Sequence, residues 1–247
     1  MAVVAKKYPM IMPNIILIIV FLPCQHTFLA VVLPLLLPFV FLVQRWNDLV
    51  HENHGTLTNG PTLVSDGTSG NYINLDGTND YIEVGNVAEI KQAINQTFSI
   101  SFWTRPVYNA GYRCVFGFMN GDNTAGGGVE FVNNTRKFKF WVADDSNFEG
   151  PECTSDATDN VWCQIVSTSD GSTLRIYFNG VEEDTESKGG CGDITADGNI
   201  RLGCHANLLE SARYWKGGIG CVQVYNRTLS ALEVTQNFET QRIRFGV

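Results

Sequence analysis

The sequence predicts an all-β protein, a two-sheet antiparallel jelly-roll sandwich, that follows an N-terminal hydrophobic segment of helical character. After Gln44, short runs of alternating apolar and polar residues are interrupted by Gly, Asn and Asp. No long helical pattern separates these runs, and about a dozen strands at this spacing are typical of a sandwich or jelly roll. The 247 residues suffice for one such domain with an appendage, so we divide the chain into 1–44 and 45–247.

Two segments show the strand pattern clearly. In TFSISFWT (97–104) three large apolar residues alternate with serines, which places the apolar residues on one face of a strand. TLRIYFNGVEE (173–183) indicates a hairpin, because Asn179-Gly180 accepts the positive φ angles of a two-residue turn. Further strands are expected at 72–75, 80–84, 112–119, 128–132, 136–143, 161–168, 199–203 and 218–225.

Two short helices are expected beside these strands. One covers VAEIKQAI (87–94), and the other covers SALEVTQNF (230–238). In the second, Ser230 and Glu233 have the spacing of a capping box, so the helix should begin at that serine.

The hydrophobic start of the chain differs from everything after it. Residues 10–43 contain no Asp, Glu, Lys or Arg, and about 20 apolar residues cross a bilayer, so this run predicts membrane insertion. Five of the eight prolines fall in the first 43 residues and would kink a helix there. Lys6 and Lys7 favour an anchor that leaves the β-domain outside the cell. A cleaved signal peptide, or an N-terminus that is not the natural one, is the alternative.

The charge of the chain restricts its partners. The net charge is −8 and the only charged residues before Arg45 are Lys6 and Lys7, so residues 45–247 carry −10. An acidic domain repels phosphate backbones, which argues against a nucleic-acid partner. Divalent cations and neutral glycans are compatible with this charge.

Cysteine usage suggests an oxidising compartment. Six cysteines follow Cys24, an even number, and the first pairings expected are Cys153–Cys163 and Cys191–Cys204, each flanking a polar loop. Free half-buried thiols in a reducing compartment are the alternative. No C-x-x-C occurs, so a zinc site is not expected.

Five segments in order resemble one known family. They are WNDLVHENHGTLTNGPT (46–62), INLDGTNDYIEV (73–84), TFSISFWTRP (97–106), DGSTLRIYFNGV (170–181) and GIGCVQVYNRTLSALEVTQNFETQRIRFG (218–246). Together they resemble the laminin-G-like, concanavalin A-like lectin/glucanase jelly-roll family, and most of all its versions in phage and marine-virus structural proteins. The resemblance implies a concanavalin A-like fold and a surface location, on a membrane or on a virion.

The chain departs from this family at two places. Relatives begin with an apolar strand before the W-x-D-L segment, where this chain has its Pro-rich hydrophobic run. FVFLV (39–43) would have to serve as that strand, unless the natural upstream sequence is absent. Many relatives also carry an acidic pair in the penultimate strand that helps to bind calcium, whereas this chain has Gly220-Cys221.

Asp76 and Asp80 are the candidate metal ligands. They flank an Asp-Gly turn in NLDGTNDYIEV (74–84), and calcium prefers several carboxylate and carbonyl oxygens. The same two residues suit a turn held by Asx hydrogen bonds, in a strand–turn–strand with Tyr81 and Ile73 facing the core. A fold signature is therefore the first interpretation of this segment and a calcium site the second.

Exposed aromatic residues are the candidate carbohydrate-binding groups, because sugars stack their C–H faces on aromatic rings. Trp141 alternates outward with Lys137 and Lys139 in RKFKFWVA (136–143), which makes it the expected exposed platform. Four more aromatic side chains lie in expected loops: Tyr108, Tyr112, Phe148 and Tyr214.

A glucanase is the enzymatic alternative. Glu182-Glu183-Asp184-Thr185-Glu186 matches the E-x-D-x-E spacing of some glucanases, in which the acids share one face of a strand. However, the intervening residues are polar rather than apolar, which favours an exposed charged edge strand.

The sequence therefore predicts a non-enzymatic surface recognition module. Its expected partners are glycans or glycoproteins on a cell surface, or a protein ligand, with calcium as the possible cofactor. The alternative is a structural domain of a virion fibre or surface protein, in which self-association would serve assembly. The ligand is a fold-level inference, because such scaffolds host many functions.

Overall fold

The computed structural model of the chain describes residues 15–19, 45–46, 54–66, 70–87, 90, 97–119, 125–144, 147–189, 198–207 and 213–247. These residues form sixteen antiparallel strands and one long helix. The elements are β1 (Ile15–Ile19), β2 (Arg45–Trp46), β3 (Gly55–Thr58), β4 (Thr62–Asp66), β5 (Gly70–Asp76), β6 (Tyr81–Gly85), β7 (Thr97–Pro106), β8 (Arg113–Met119), β9 (Gly126–Phe131), β10 (Phe138–Ala143), β11 (Phe148–Glu149), β12 (Cys163–Asp170), β13 (Thr173–Phe178), β14 (Val181–Ser187), β15 (Ile200–Leu202), β16 (Lys216–Tyr225) and α1 (Ala231–Phe245).

The strands form two sheets. Within the described residues, sheet A has the order β14-β13-β12-β7-β16-β5-β4, with β1 also paired to β16. Sheet B has the order β11-β10-β9-β8-β15-β6-β3-β2. Neighbours that are distant in sequence, such as β7 and β16, require the crossovers of a sandwich rather than a simple meander. The predicted all-β, two-sheet antiparallel fold is confirmed.

The main core lies between the two sheets and follows from strand alternation. Phe98, Ile100 and Phe102 of β7 are buried in it, while the serines between them face the other side of sheet A. Phe138 and Phe140 of β10 belong to the same cluster from sheet B. The tight turn of the β13–β14 hairpin has φ of 49° at Asn179 and 81° at Gly180, as the sequence predicts.

Helix α1 covers the outer face of sheet A. It begins at Ser230, whose capping box with Glu233 is formed, and ends at Gly246 in the left-handed conformation. Its Phe245 ring stacks on Trp103 with ring centres 4.2 Å apart, and Gln241 accepts a hydrogen bond of 2.6 Å from the Trp103 indole. The predicted start is confirmed, but tertiary packing extends the helix to Phe245. The other expected helix, over 87–94, lies largely outside the described residues.

Strand β1 corrects one expectation about the hydrophobic start. Ile15–Ile19 form a strand, not part of a helix, and pair with β16 from Val222 to Tyr225. β7 occupies one edge of β16, and β5 pairs with the other edge only as far as Ile219. β1 therefore fills the remainder of that edge. FVFLV (39–43), one of the two alternatives for the missing first strand, lies outside the described residues, as do most of residues 10–43. No helix in the described part of the chain is long and apolar enough to span a bilayer.

The described cysteines are free and buried. Cys153 and Cys163 do not form the expected disulfide, because both side chains serve as small apolar groups in the main core. Burial raises the pKa of the Cys153 thiol to about 12. Cys204 is also free, and its expected partner Cys191 lies outside the described residues.

Candidate ligand-binding cleft

A polar cleft of about 430 Å³ opens between three loops at one end of the sandwich. The loops are 107–112 between β7 and β8, 132–137 between β9 and β10, and the segment 154–159. We call this the loop cleft. Its lining residues are Tyr108, Asn134, Thr135, Arg136, Lys137 and Asp156.

The turn from β9 to β10 forms one wall of the cleft. Val132 N–H donates to the Lys137 carbonyl over 3.0 Å, and Thr135 N–H donates to the Val132 carbonyl over 2.9 Å. Asn134 adopts a φ of 59°, which asparagine tolerates better than most residues. The wall is therefore set by backbone hydrogen bonds, and the Asn134 and Lys137 side chains project from a fixed frame.

Tyr108 is held in place by Asp159. The carboxylate accepts the Tyr108 backbone N–H at 3.1 Å and also pairs with Arg136 at 3.3 Å. The hydrogen bonds that Arg136 donates to Asp159 raise the pKa of Arg136. The Arg136 guanidinium lies 4.7 Å from the centre of the Tyr108 ring, in the range of a cation–π contact. One face of this ring is thus covered, and a ligand can use only the other face.

The cleft offers both hydrogen-bond donors and acceptors. Lys137 supplies an ammonium group and Asp156 a carboxylate, while the Arg136 charge is balanced by Asp159. Asn134 contributes an amide, whose oxygen already accepts Gly111 N–H at 3.2 Å. Groups of opposite charge and mixed polarity around one aromatic ring suit a ligand rich in hydroxyl groups better than a strongly charged one.

Tyr108 is the predicted carbohydrate-binding residue that lines the cleft, and Tyr112 lies close by. Tyr112 is 41% exposed at the end of the same loop, and Arg213 lies 5.0 Å from its ring centre. The hydrogen bond between Gly111 and Asn134 connects this end of the loop to the cleft wall. The structure therefore places one of the five predicted aromatic residues in the cleft lining and a second at the end of the same loop.

The expected exposure of Trp141 is wrong. Its side chain is on the outer face of sheet B but is only 3% exposed, because Phe148 and His205 stack on its two sides with ring centres 5.5 Å away. Residues 204–207 approach the sheet over Gly117, where a Cβ would lie 2.9 Å from the Ala206 nitrogen. A glycine at that position lets the segment lie against the sheet, so His205 covers the tryptophan.

Phe148 and Tyr214 lie on the outer face of sheet B, away from the cleft lining. Phe148 is 54% exposed, with the Lys139 ammonium 5.1 Å from its ring centre. Tyr214 is half-buried near Tyr81 and Cys204, and burial raises its pKa. Neither aromatic ring lines the loop cleft.

Tyr81 does not face the core, contrary to expectation. Ile82 and Val84 are buried between the sheets instead, so Tyr81 lies on the outer face of β6, with Arg201 at 5.8 Å from its ring centre. Ile73 is in the main core as predicted. The alternation of side chains in the strand after the Asp-Gly turn is therefore offset by one residue from the expected one. Side chains expected in the core lie on the outer face, and the reverse.

Asp76 and Asp80 hold the turn between β5 and β6. One Asp76 oxygen accepts Thr78 N–H at 2.7 Å, and one Asp80 oxygen accepts Asp76 N–H at 3.1 Å. Burial raises the pKa of Asp80. Burial also acts to raise the pKa of Asp76, but the hydrogen bonds that its carboxylate accepts from Thr78 and Asn79 together outweigh it and lower that pKa. Within the described residues no three His, Cys, Asp or Glu side chains are grouped to hold a metal ion. The assignment of these two residues as metal ligands stays a prediction.

The E-x-D-x-E acids of β14 do not share one face. The register places Glu182 opposite Tyr177 and Asp184 opposite Ile176, so Glu183 is an additional residue in a β-bulge. Tyr177 packs on the outer face of sheet A and Ile176 in the main core, which puts Glu182 and Asp184 on opposite faces. Asp184 and Glu186 instead accept the backbone N–H groups of Glu152 and Gly150 at 3.0 Å.

Several cleft residues could not be chosen from the sequence. Asn134 is recognisable as a turn residue, and Lys137 lies at the start of a predicted strand. Asp159 and Arg136 are 23 residues apart, and Asp159 is 51 residues from Tyr108. These residues meet only because three loops pack together, and no local sequence pattern predicts that packing.

Comparison with known proteins supports the fold independently. No curated protein sequence matches the chain. Among solved structures, domain 4 of AbnA, a GH43 extracellular arabinanase from Geobacillus stearothermophilus in complex with arabinotriose, is similar with a TM-score of 0.61 and 19% identity. That match covers 77% of this chain and 91% of the arabinanase domain.

Toxin binding domains are similar to the same extent. The binding domain of Paraclostridial Mosquitocidal Protein 1 has a TM-score of 0.63 at 19% identity, covering 78% of this chain and 49% of that domain. The binding domain of botulinum neurotoxin serotype G has a TM-score of 0.61 at 17% identity, with coverage of 78% and 48%. The chain thus spans about half the length of these toxin domains, and at such identities the likeness establishes the fold.

The family itself follows from the sequence model that matches. The model of the concanavalin A-like lectin/glucanases superfamily matches residues 76–235, which include the loops of the cleft and most strands of both sheets. With its two antiparallel sheets and this match, the chain belongs to the concanavalin A-like lectin/glucanases superfamily.

Proposed function

We propose that the chain is a non-enzymatic recognition domain that binds carbohydrate in the loop cleft. The observation that carries the proposal is Tyr108, an aromatic ring fixed by Asp159 and Arg136 within a cleft of hydrogen-bonding groups. A sugar would stack on the uncovered face of the ring, while Asn134, Lys137 and Asp156 bond its hydroxyl groups. A concave site with a few placed polar groups is the usual form of a small-ligand site.

Relatives of the same fold support a binding role. The arabinanase domain was solved with arabinotriose, and the binding domain of botulinum neurotoxin DC was solved with rat synaptotagmin II. These ligands belong to those proteins, and this chain matches only 47% of the neurotoxin chain, so they support a binding role in general and identify no ligand of this chain. A glycan-binding role also supports display outside a cell or on a virion, where cell-surface glycans are accessible.

Binding without catalysis is favoured over the glucanase alternative. That mechanism needs two carboxyl groups that reach one bound substrate and flank its scissile bond. Glu182 and Asp184 are on opposite faces of sheet A, and Asp184 and Glu186 already accept backbone N–H groups. Hydrolysis of a β-glucan that is abolished by Glu182→Gln would contradict this part of the proposal.

The test is a glycan array that includes arabino-oligosaccharides, followed by calorimetric titration of the sugars that bind. We expect Tyr108→Ala to weaken binding at least about tenfold, equivalent to about 1.4 kcal/mol, because the stacking surface is lost. Phe148→Ala is the matched control, since it removes an exposed aromatic ring outside the cleft. It should leave the affinity unchanged.

The same array separates the remaining alternatives. Binding that survives Tyr108→Ala would place the ligand elsewhere. A wild-type protein that binds no glycan but self-associates at low concentration would favour the assembly role. Running the array with and without EDTA tests calcium at Asp76 and Asp80, because a calcium-dependent site would lose binding on chelation.

A further inference from the structure

The loop that carries Tyr108 presents a second tyrosine in the same kind of setting. Tyr108 has one ring face covered by Arg136, which Asp159 holds. Tyr112 has one ring face covered by Arg213, which Glu130 holds. The two tyrosines of one loop are therefore each packed against an arginine that a carboxylate from another segment holds.

The second of these arrangements is anchored in the body of sheet B. Glu130 belongs to β9, is 2% exposed and pairs with Arg213 over 2.7 Å. The Arg213 carbonyl also accepts Cys114 N–H from β8 at 2.8 Å. Burying a carboxylate costs desolvation free energy, which its ion pair with Arg213 offsets. The position of Glu130 beneath Arg213 therefore depends on this pair. The pair fixes the guanidinium that in turn orients the Tyr112 ring.

The backbone positions of the two tyrosines lie within reach of one short ligand. Tyr108 and Tyr112 are four residues apart, so their Cα atoms are separated by at most about 14 Å. Gly111 turns the loop with a φ of 91°, and its N–H donates to the Asn134 side chain in the wall of the cleft. The exposed Tyr112 thus directly follows the residue that bonds the wall of the cleft containing Tyr108.

We propose that Tyr112 is a second aromatic subsite, so that the ligand class is an oligosaccharide of at least two sugar units rather than a monosaccharide. This inference rests on the proposed function of the loop cleft. One sugar unit occupies Tyr108 and the cleft, and a following unit stacks on the free face of Tyr112. Rings held in advance lose little conformational freedom on binding, which favours a gain in affinity with ligand length.

The experiment compares affinity with ligand length in the full chain. The probes are arabinose, arabinobiose and arabinotriose, with glucose, cellobiose and cellotriose in parallel, together with any sugar retained on the array. Wild-type affinity should increase at least tenfold from monosaccharide to trisaccharide. Tyr112→Ala should abolish this gain and leave monosaccharide affinity unchanged, whereas Tyr112→Phe, which keeps the ring, should preserve it.

Each outcome bears on the inference separately from the proposed function. Tyr108→Ala should reduce affinity for every ligand length. If Tyr112→Ala keeps the full gain with length while Tyr108→Ala loses binding, the second subsite is refuted and the cleft stands. A wild-type protein without any gain in affinity with length also refutes it. If no probe and no array sugar binds, both proposals fall.

Discussion

At the scale of single residues, Glu233 and Arg227 show how one ion pair stabilises the start of a helix. The Glu233 carboxylate pairs with Arg227 over 2.8 Å and accepts the Ser230 backbone N–H at 2.9 Å. Arg227, opposed by burial and assisted by Ser230, lowers the pKa of Glu233 from 4.5 to about 2. The folded state therefore holds this carboxylate ionised at a pH at which an unfolded chain would protonate it.

This shift predicts a pH-dependent contribution to stability. Because the folded pKa lies below the unfolded one, the contribution is present above pH 4.5 and is lost as the pH falls towards about 2. Glu233→Gln should cost about 0.5–1 kcal/mol at neutral pH, the range of a part-exposed ion pair. Thermal melts of both proteins should converge over that acidic interval.

Glu239→Gln is the control for this prediction, since Glu239 forms a more exposed pair with Arg242 on the same helix. A difference between wild type and Glu233→Gln that stays constant down to the lowest pH would show that the ion pair is not its cause.

Local residue patterns were predictable where neighbours in sequence are also neighbours in space. Ser230 and Glu233, three residues apart, and the Asn179-Gly180 turn needed no tertiary information. The cover of Trp141 by His205 did, because it depends on a segment 64 positions away lying over Gly117. The partners of Tyr108 were hidden for the same reason.

At the scale of elements, the β-bulge in β14 lets this acidic strand hold a neighbouring segment in place by hydrogen bonds. It turns Glu183 toward the 150–155 segment, where its carboxylate accepts the Ser155 N–H at 3.0 Å and the Ser155 hydroxyl at 2.7 Å. It also accepts the backbone N–H and the hydroxyl of Thr154. Although burial opposes the change, these donors lower the pKa of Glu183.

Glu183→Ala should therefore loosen the chain at Thr154 and Ser155, while Asp184 and Glu186 still hold Glu152 and Gly150. We expect a loss of about 1.5–3 kcal/mol, the range for hydrogen bonds to a charged group, since two backbone donors lose their acceptor. Amide exchange at 154 and 155 should accelerate. Glu182→Ala on the other face of the same strand is the control, and equal effects of the two substitutions would contradict the assigned role of the bulge.

Strand positions were largely predictable, but faces and irregularities were less so. Alternation located β7 with its core-facing residues, the β13–β14 hairpin, and β10 with Trp141 on the outer face, although it did not predict that Trp141 is covered there. It could not locate the bulge, because a bulge exchanges the faces of all following residues of the strand without leaving a distinctive pattern in the sequence. Tyr81 was assigned to the wrong face for a similar reason, because the geometry of the Asp-Gly turn determines which side chains of β6 face the core.

At the scale of the whole molecule, the cysteines report on global unfolding. Cys114, Cys153, Cys163, Cys204 and Cys221 are free and buried, and burial raises the pKa of the last two to about 12. The thiolate is the reactive form, so these thiols should be inert in the folded domain. Their reaction requires the sandwich to open.

We therefore expect alkylation at these five positions to follow the denaturation curve. In the native protein, peptide mass spectrometry after treatment with iodoacetamide should find them unmodified, and a reducing agent should leave the melting temperature unchanged. Recovery of a cross-linked peptide that joins Cys153 to Cys163 under non-reducing conditions would contradict the free-thiol arrangement.

Strand β1 links the N-terminal part of the chain to β16, which lies near its C-terminal end. It is joined to β16 by backbone hydrogen bonds, while residues 20–44 connect it to β2 along the chain. A peptide bond broken within 20–44 would leave β1 attached as a non-covalent peptide. β1 thus acts as a complementing strand, and in that respect the domain resembles a two-fragment assembly whose smaller fragment is covalently tethered.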